Sequence, residues 1–217
     1  MKKLSLTVLL ISLLFSACGK ESSRLKLSSA DSLKILNEIS AYRAEQDSFF
    51  RYSTGSPFTK DTTIHYNGLK YFDPDLSLYF KSKLYLYSSP ETVIVLGTKG
   101  EERKQLKYGY FILPYKDEEY KINVYKFTPY DRKRYELYKD NLSFWFRDKT
   151  TDKETYHVGR YVEIGDENPD RNHEYVIDMN KAYNPYCAYS SLFSCAIPRD
   201  EDNLDIEVRA GEKKYHE

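Results

Sequence analysis

The stretch NPYCAYSSLFSC, Asn184 to Cys195, sets Cys187 and Cys195 eight positions apart in a tyrosine-rich tract. Two thiols at this spacing allow a disulfide, a pair of metal ligands, a thiolate nucleophile or two buried free thiols. A metal site needs further ligands, and no His stands near the pair. The four histidines, His65, His157, His173 and His216, are scattered, with no spacing that sets two on one face. A nucleophilic thiolate needs a neighbouring cation to lower its pKa, and Arg160 is the candidate. Arg160 lies between Gly159 and Tyr161 in an extended pattern. Pointing inward it requires an anionic partner, and pointing outward it requires none. Asp148, Asp152 and Glu154 gather near one turn without the alternating ligands and glycine of a calcium loop, so they read as a solvated hairpin. Phosphate loops, dinucleotide glycine fingerprints, HExxH and nucleophile elbows are absent from the sequence, and no cofactor is implied.

The N-terminus, MKKLSLTVLLISLLFSAC, opens with two lysines, continues with the apolar run Leu4 to Phe15, and reaches Ser16 and Ala17 before Cys18. That order describes an export signal. The run is shorter than the roughly 20 apolar residues a membrane span needs. The cysteine directly after the small pair resembles the bacterial lipobox, although Phe15 stands where Leu is usual. The resemblance implies a signal peptide over 1–17 and lipidation of Cys18, with diacylglycerol on the thiol and an acyl chain such as palmitate on the new N-terminus. Several chains hold a protein on a membrane durably, each buried methylene adding roughly 0.8 kcal/mol. The expected location is therefore a membrane's periplasmic or extracellular face, and the outer membrane in a cell that has one, as Gly19 after the cysteine resembles the sorting pattern for it.

Removing Lys2 and Lys3 with the signal leaves 31 basic against 33 acidic side chains, a net charge near −2. Such a chain has no global basic field to attract nucleic acid. With Cys18 carrying lipid, Cys187 and Cys195 are an even pair, and an oxidising compartment favours a disulfide between them. The remainder suits a single β-rich domain over 30–217, joined to the anchor by a polar tether over 18–29. The 22 tyrosines and 11 phenylalanines favour sheet-building over ligand stacking.

These groups need elements to position them. Ile35, Ile39, Tyr42, Gln46 and Phe49 recur at helical spacing behind capping oxygens from Ser and Asp, which predicts one amphipathic helix from Asp31 to Phe49. The segment LSLYFKSKLYLY alternates Leu76, Leu78, Phe80, Leu84 and Leu86 against polar residues and reads as one half-buried antiparallel strand. Further strands are expected at 92–97, 106–113, 120–127, 142–147, 155–164, 174–179 and 204–209, separated by turn-rich pieces such as TKGEE, YKDEE and GDENPDRN. About eight strands with short connections and no alternating helices predict a mainly β fold, an antiparallel barrel-like domain or a sandwich.

The C-terminal third, FWFRDKTTDKETYHVGRYVEI followed by YVIDMNKAYNPYCAYSSLFSCAIPRDEDNLDIEVRAGEKKY, resembles the bacterial domain-of-unknown-function family 1684. YRAEQDSFF, SPF and YNGLKYF are similar to that family's N-terminal half. Met179, Ala196 and Arg199 depart from its pattern. The resemblance implies no established activity. It marks Asp148, Tyr156, Arg160, Asp178, Asn180, Asn184 and Glu212, among others, which with Tyr186 make a candidate pocket. Two readings use these residues. In the first, a cell-envelope binding or structural module offers a small, anionic ligand the Arg160 fork and the Asn180 and Asn184 amides. In the second, an envelope hydrolase uses Asp148, Asp178 or Glu212 as general base, with Arg160 or Asn180 stabilising developing charge. The first is favoured because no nucleophile–base pair is recognisable.

Overall fold

The computed structural model describes residues 25–216. The signal segment, the lipidation candidate Cys18 and the start of the tether lie outside the described residues. Helix α1 (Ser29–Tyr52) begins where Ser28 and Asp31 form a capping box. Ser28 Oγ accepts the Asp31 N–H at 3.1 Å, and the Asp31 carboxylate accepts the Ser28 N–H at 3.4 Å, satisfying two orphan donors. The helix runs two residues further at its start and three at its end than the spacing predicts. It buries Ile35, Ile39 and Phe50, while Tyr42, Gln46 and Phe49 are half-buried. A short helix α2 (Pro57–Lys60) follows, capped by Ser56.

Eight strands come next, with one further helix among them. They are β1 (Tyr79–Lys83), β2 (Tyr85–Leu96), β3 (Glu102–Tyr115), β4 (Glu118–Phe127), then helix α3 (Arg132–Tyr138), β5 (Asn141–Asp148), β6 (Arg160–Asp166), β7 (Glu174–Asp178) and β8 (Asn203–Leu204). They form an antiparallel β1–β7 ribbon, an antiparallel β2–β3–β4 meander and a β6–β5–β8 sheet. The β5–β8 pairing is parallel and every other ladder is antiparallel. The fold is thus mainly β with antiparallel sheets, as the strand pattern predicts, and the sheets do not close into a barrel. Phe111, Ile122, Val124, Leu142, Phe144, Phe146, Ile177 and Val208 fill the core they share.

Three expectations change. LSLYFKSKLYLY is two strands, because the chain leaves one sheet for another at Leu84: β1 pairs with β7 and β2 with β3. The buried alternation runs through Leu78, Phe80, Ser82 and Leu84 and stops there, leaving Leu86 exposed. The 155–164 strand starts only at Arg160, because Gly159 sits at φ +124°. A side chain there would meet the Phe146 carbonyl oxygen at 2.5 Å, so only glycine fits. In 204–209 only Leu204 joins a ladder. The carbonyl of Val208 faces the Arg160 guanidinium instead of a neighbouring strand.

Phe50 of α1 docks on an aromatic cluster with Phe58, Tyr66, Tyr186, Tyr189 and Tyr215. Its ring centroid is 4.9 Å from that of Tyr189 in an edge-to-face arrangement, the geometry the aromatic quadrupole favours. The helix therefore covers the end of the domain that carries the NPYCAY segment.

Candidate functional site

Arg160 opens β6 and points inward, 1% exposed. Its Nη1 donates to the carbonyl oxygens of Ala210 and Glu212, and Nη2 donates to Val208 O at 2.7 Å and Asp148 Oδ1 at 3.4 Å. Burial lowers the guanidinium pKa, and Asp148 opposes that shift. Asp148, also buried, accepts the Val208 N–H at 2.7 Å and the Thr150 hydroxyl at 2.8 Å. Thr150 in turn contacts Thr155 at 3.1 Å. Arg160 and Asp148 together pin the 208–212 segment, taking up backbone groups that have no strand partner.

Asn184 and Glu212 make a second buried unit. Glu212 Oε2 accepts the Asn184 N–H at 2.8 Å and the Tyr189 hydroxyl at 2.5 Å. Asn184 Nδ2 donates to Lys213 O at 2.8 Å. Burial pushes the Glu212 carboxyl up to about 7, against the pull of its two donors. Asp178 and Asn180 make a third unit. Asp178 Oδ1 accepts both Asn180 donors, at 3.0 and 2.9 Å, and Asn180 exchanges hydrogen bonds with the Asp75 backbone at 2.7 and 2.9 Å. Burial raises the Asp178 pKa.

The eight residues expected to line one pocket are therefore divided. Asp148, Arg160, Asp178, Asn180, Asn184 and Glu212 are buried, and most of their polar atoms are taken up by backbone groups or by one another. Tyr186 is half-buried and meets Phe50 and Phe193 edge-on. Tyr156 alone among the eight reaches the open recess described next.

That recess, of about 450 Å³, lies between the turn before β6, the Tyr186–Ala188 turn and the β2–β3 hairpin; Thr98, Lys99, Arg147, Tyr156, His157 and Cys187 are among its lining. The Tyr156 hydroxyl donates to Cys187 O at 3.1 Å and stands 3.7 Å from Cys187 Sγ. Cys195 is buried behind Cys187 and its Sγ accepts the Cys187 N–H at 3.2 Å. In this structure both cysteines are free thiols, set side by side by that backbone contact. Among the described residues, no group of three His, Cys, Asp or Glu side chains is placed to hold a metal ion.

The sequence reading missed Lys99 and Arg147, whose approach to Tyr156 has no local signal. It also missed Asp202, fully buried, which accepts from Asn123 Nδ2 and the Tyr125 hydroxyl, each at 2.7 Å.

A mainly β domain with a leading helix, closed by a C-terminal segment held on a buried arginine, defines the class of this protein. Residues 64–213 match the family model described as Protein of unknown function (DUF1684), and the chain belongs to that family. Its fold is similar to the solution NMR structure of an uncharacterized protein from Haloarcula marismortui, with a TM-score of 0.60 and 29% identity over 86% of this chain and 97% of that one. No curated protein matches the sequence.

Proposed function

We propose that this chain is a lipid-anchored module of the cell envelope that holds a small anionic ligand in the recess beside Tyr156. The observation that carries the reading is the charge of the lining: Lys99 and Arg147 are in it, and no acidic side chain is. Arg147 Nε is fixed by Val158 O at 3.2 Å, and Asp200, 4.0 Å from Nη1, is fully exposed. The rest of the fork is available to a carboxylate or phosphate. The carboxylates a hydrolase would need, Asp148, Asp178 and Glu212, are buried and none lines the recess. Binding is accordingly favoured over hydrolysis.

The anchor reading rests on residues 1–18. Cell fractionation tests it: Cys18→Ser should move the protein from the membrane to the soluble fraction, and retention in the membrane would end the reading. The ligand reading is tested by titrating full-length protein with phosphate and citrate while following the Tyr156 and His157 ring resonances. Arg147→Ala should weaken any saturable shift at least tenfold. Shifts that Arg147→Ala leaves unchanged would place the ligand elsewhere.

A further inference from the structure

The geometry points to a second chemistry in the same recess: Cys187 and Cys195 form a dithiol centre that reduces a low-molecular-weight disulfide, with Cys187 attacking and Cys195 resolving. The inference rests on the proposed ligand site only for the charge of the favoured disulfide.

Position assigns the roles. Cys187 is half-buried and lines the recess, whereas Cys195 is buried behind it. Cys195 is fixed to the β2–β3 hairpin by two hydrogen bonds, Thr98 N–H to Cys195 O at 2.9 Å and Cys195 N–H to Thr98 Oγ1 at 3.2 Å. Cys187 rides on the Tyr186–Ala188 turn, which presents its N–H to Cys195 Sγ. An accessible thiol backed by a buried one in contact is the arrangement that thiol exchange requires. The direction of the pKa shifts agrees with the placement: the neighbouring Cys195 thiol and the Tyr156 hydroxyl pull Cys187 down to about 7 against its burial, and the neighbouring Cys187 thiol and burial raise Cys195.

In the first step the Cys187 thiolate attacks one sulfur of the incoming disulfide. The incoming S–S bond breaks, a mixed disulfide forms on Cys187, and the first small thiolate leaves and takes up the proton Cys187 had lost. In the second step Cys195 gives its proton to the second leaving group and attacks Cys187 Sγ. The Cys187–Cys195 bond forms as the mixed disulfide breaks. The protein dithiol is oxidised by two electrons, and one small disulfide is reduced to two thiols.

The test uses full-length protein carrying Cys18→Ser, which leaves these two of the three cysteines. Reduced protein is reacted with one dianionic disulfide, 5,5′-dithiobis(2-nitrobenzoate), and one neutral disulfide, 2,2′-dithiodipyridine. Two small thiols should be released per chain, and the protein mass should fall by two hydrogens with no adduct. Cys195→Ser should stop at one thiol and a stable adduct, and Cys187→Ser should react at least tenfold more slowly. Two adducts on each chain without ring closure would overturn the proposal, as would equal rates for the two single variants. The adduct count needs no substitution at Cys187 or Cys195, so it decides the matter even where one of those substitutions harms folding. Ring closure without any preference for the dianion over the neutral reagent, relative to free cysteine, would leave the dithiol centre standing and remove the anionic-ligand reading.

Discussion

Arg160 Nη2 lies 3.4 Å from Asp148 Oδ1, with both side chains essentially removed from solvent. The pair is a clamp on the backbone more than an ion pair, because each member also bonds Val208, Asp148 to its N–H and Arg160 to its carbonyl. Removing one member strands the other charge and frees backbone groups in the core. Such losses cost about 3–5 kcal/mol. Arg160→Ala and Asp148→Ala should each lower the unfolding free energy by that order, and the double variant should cost less than the sum of the two. Denaturant unfolding of the three variants measures this, and strict additivity would show that the pair acts as two independent groups.

Gly211 sits at φ +73°, and a Cβ there would strike the carbonyl oxygen of Ala182. Gly100 has a similar φ of +83° with open space around it. The backbone cost of the left-handed conformation, about 1–2 kcal/mol, is common to both. Gly211→Ala should exceed Gly100→Ala by roughly a further 1–3 kcal/mol, the cost of forcing atoms into a packed core. Equal shifts in melting temperature would show that the approach to Ala182 relaxes without cost.

Where the chain passes from tether to domain, the capping box of Ser28 and Asp31 starts α1. Ser28→Ala removes an acceptor for the Asp31 N–H and should cost about 1 kcal/mol. For a domain of this size that is a fall in melting temperature of roughly 2–4 °C. An unchanged melting temperature would mean that the first turn of α1 unfolds independently of the rest.

The parts of this fold that were legible in the sequence are those where one physical rule acts alone. In β3 the alternation of Phe111 and Leu113 follows from one buried sheet face, and Ile122 and Val124 of β4 share that face, although Asn123 and Tyr125 are buried on the other. At Leu84 the apolar alternation of the sequence runs on to Leu86 although the burial stops and the pairing partner changes, and a pattern of side chains carries no information on which strand lies beside it. The alternation in 204–209 is similar: its apolar members are partly or fully buried, yet the carbonyl of Val208 is claimed by Arg160. That an inward Arg160 needs an anion was readable from its chemistry, but the sequence left inward and outward equally open, and only packing turns it onto Asp148. The recess was not, since Lys99, Arg147, Tyr156 and Cys187 come from four separate segments that only tertiary packing brings together.

Glu212 supplies a pH dependence whose sign is unusual for a carboxylate. Burial raises it from 4.5 to about 7, so between these values the folded chain binds a proton that the unfolded chain has lost. Stability from this group is fully present below about pH 4.5 and declines as pH rises to about 7. The change across that window is on the order of 3 kcal/mol. Glu212→Gln keeps an oxygen to accept from the Asn184 N–H and the Tyr189 hydroxyl and removes the titration. Asp178, Asp202 and Glu163 are also raised by burial, so the wild-type profile alone does not isolate Glu212. The difference between the variant and wild type does. Urea midpoints measured from pH 4.5 to pH 7.5 should fall more steeply for wild type, with the variant gaining relative stability as pH rises. Parallel profiles would mean that Glu212 keeps its ordinary carboxylate pKa in spite of its burial.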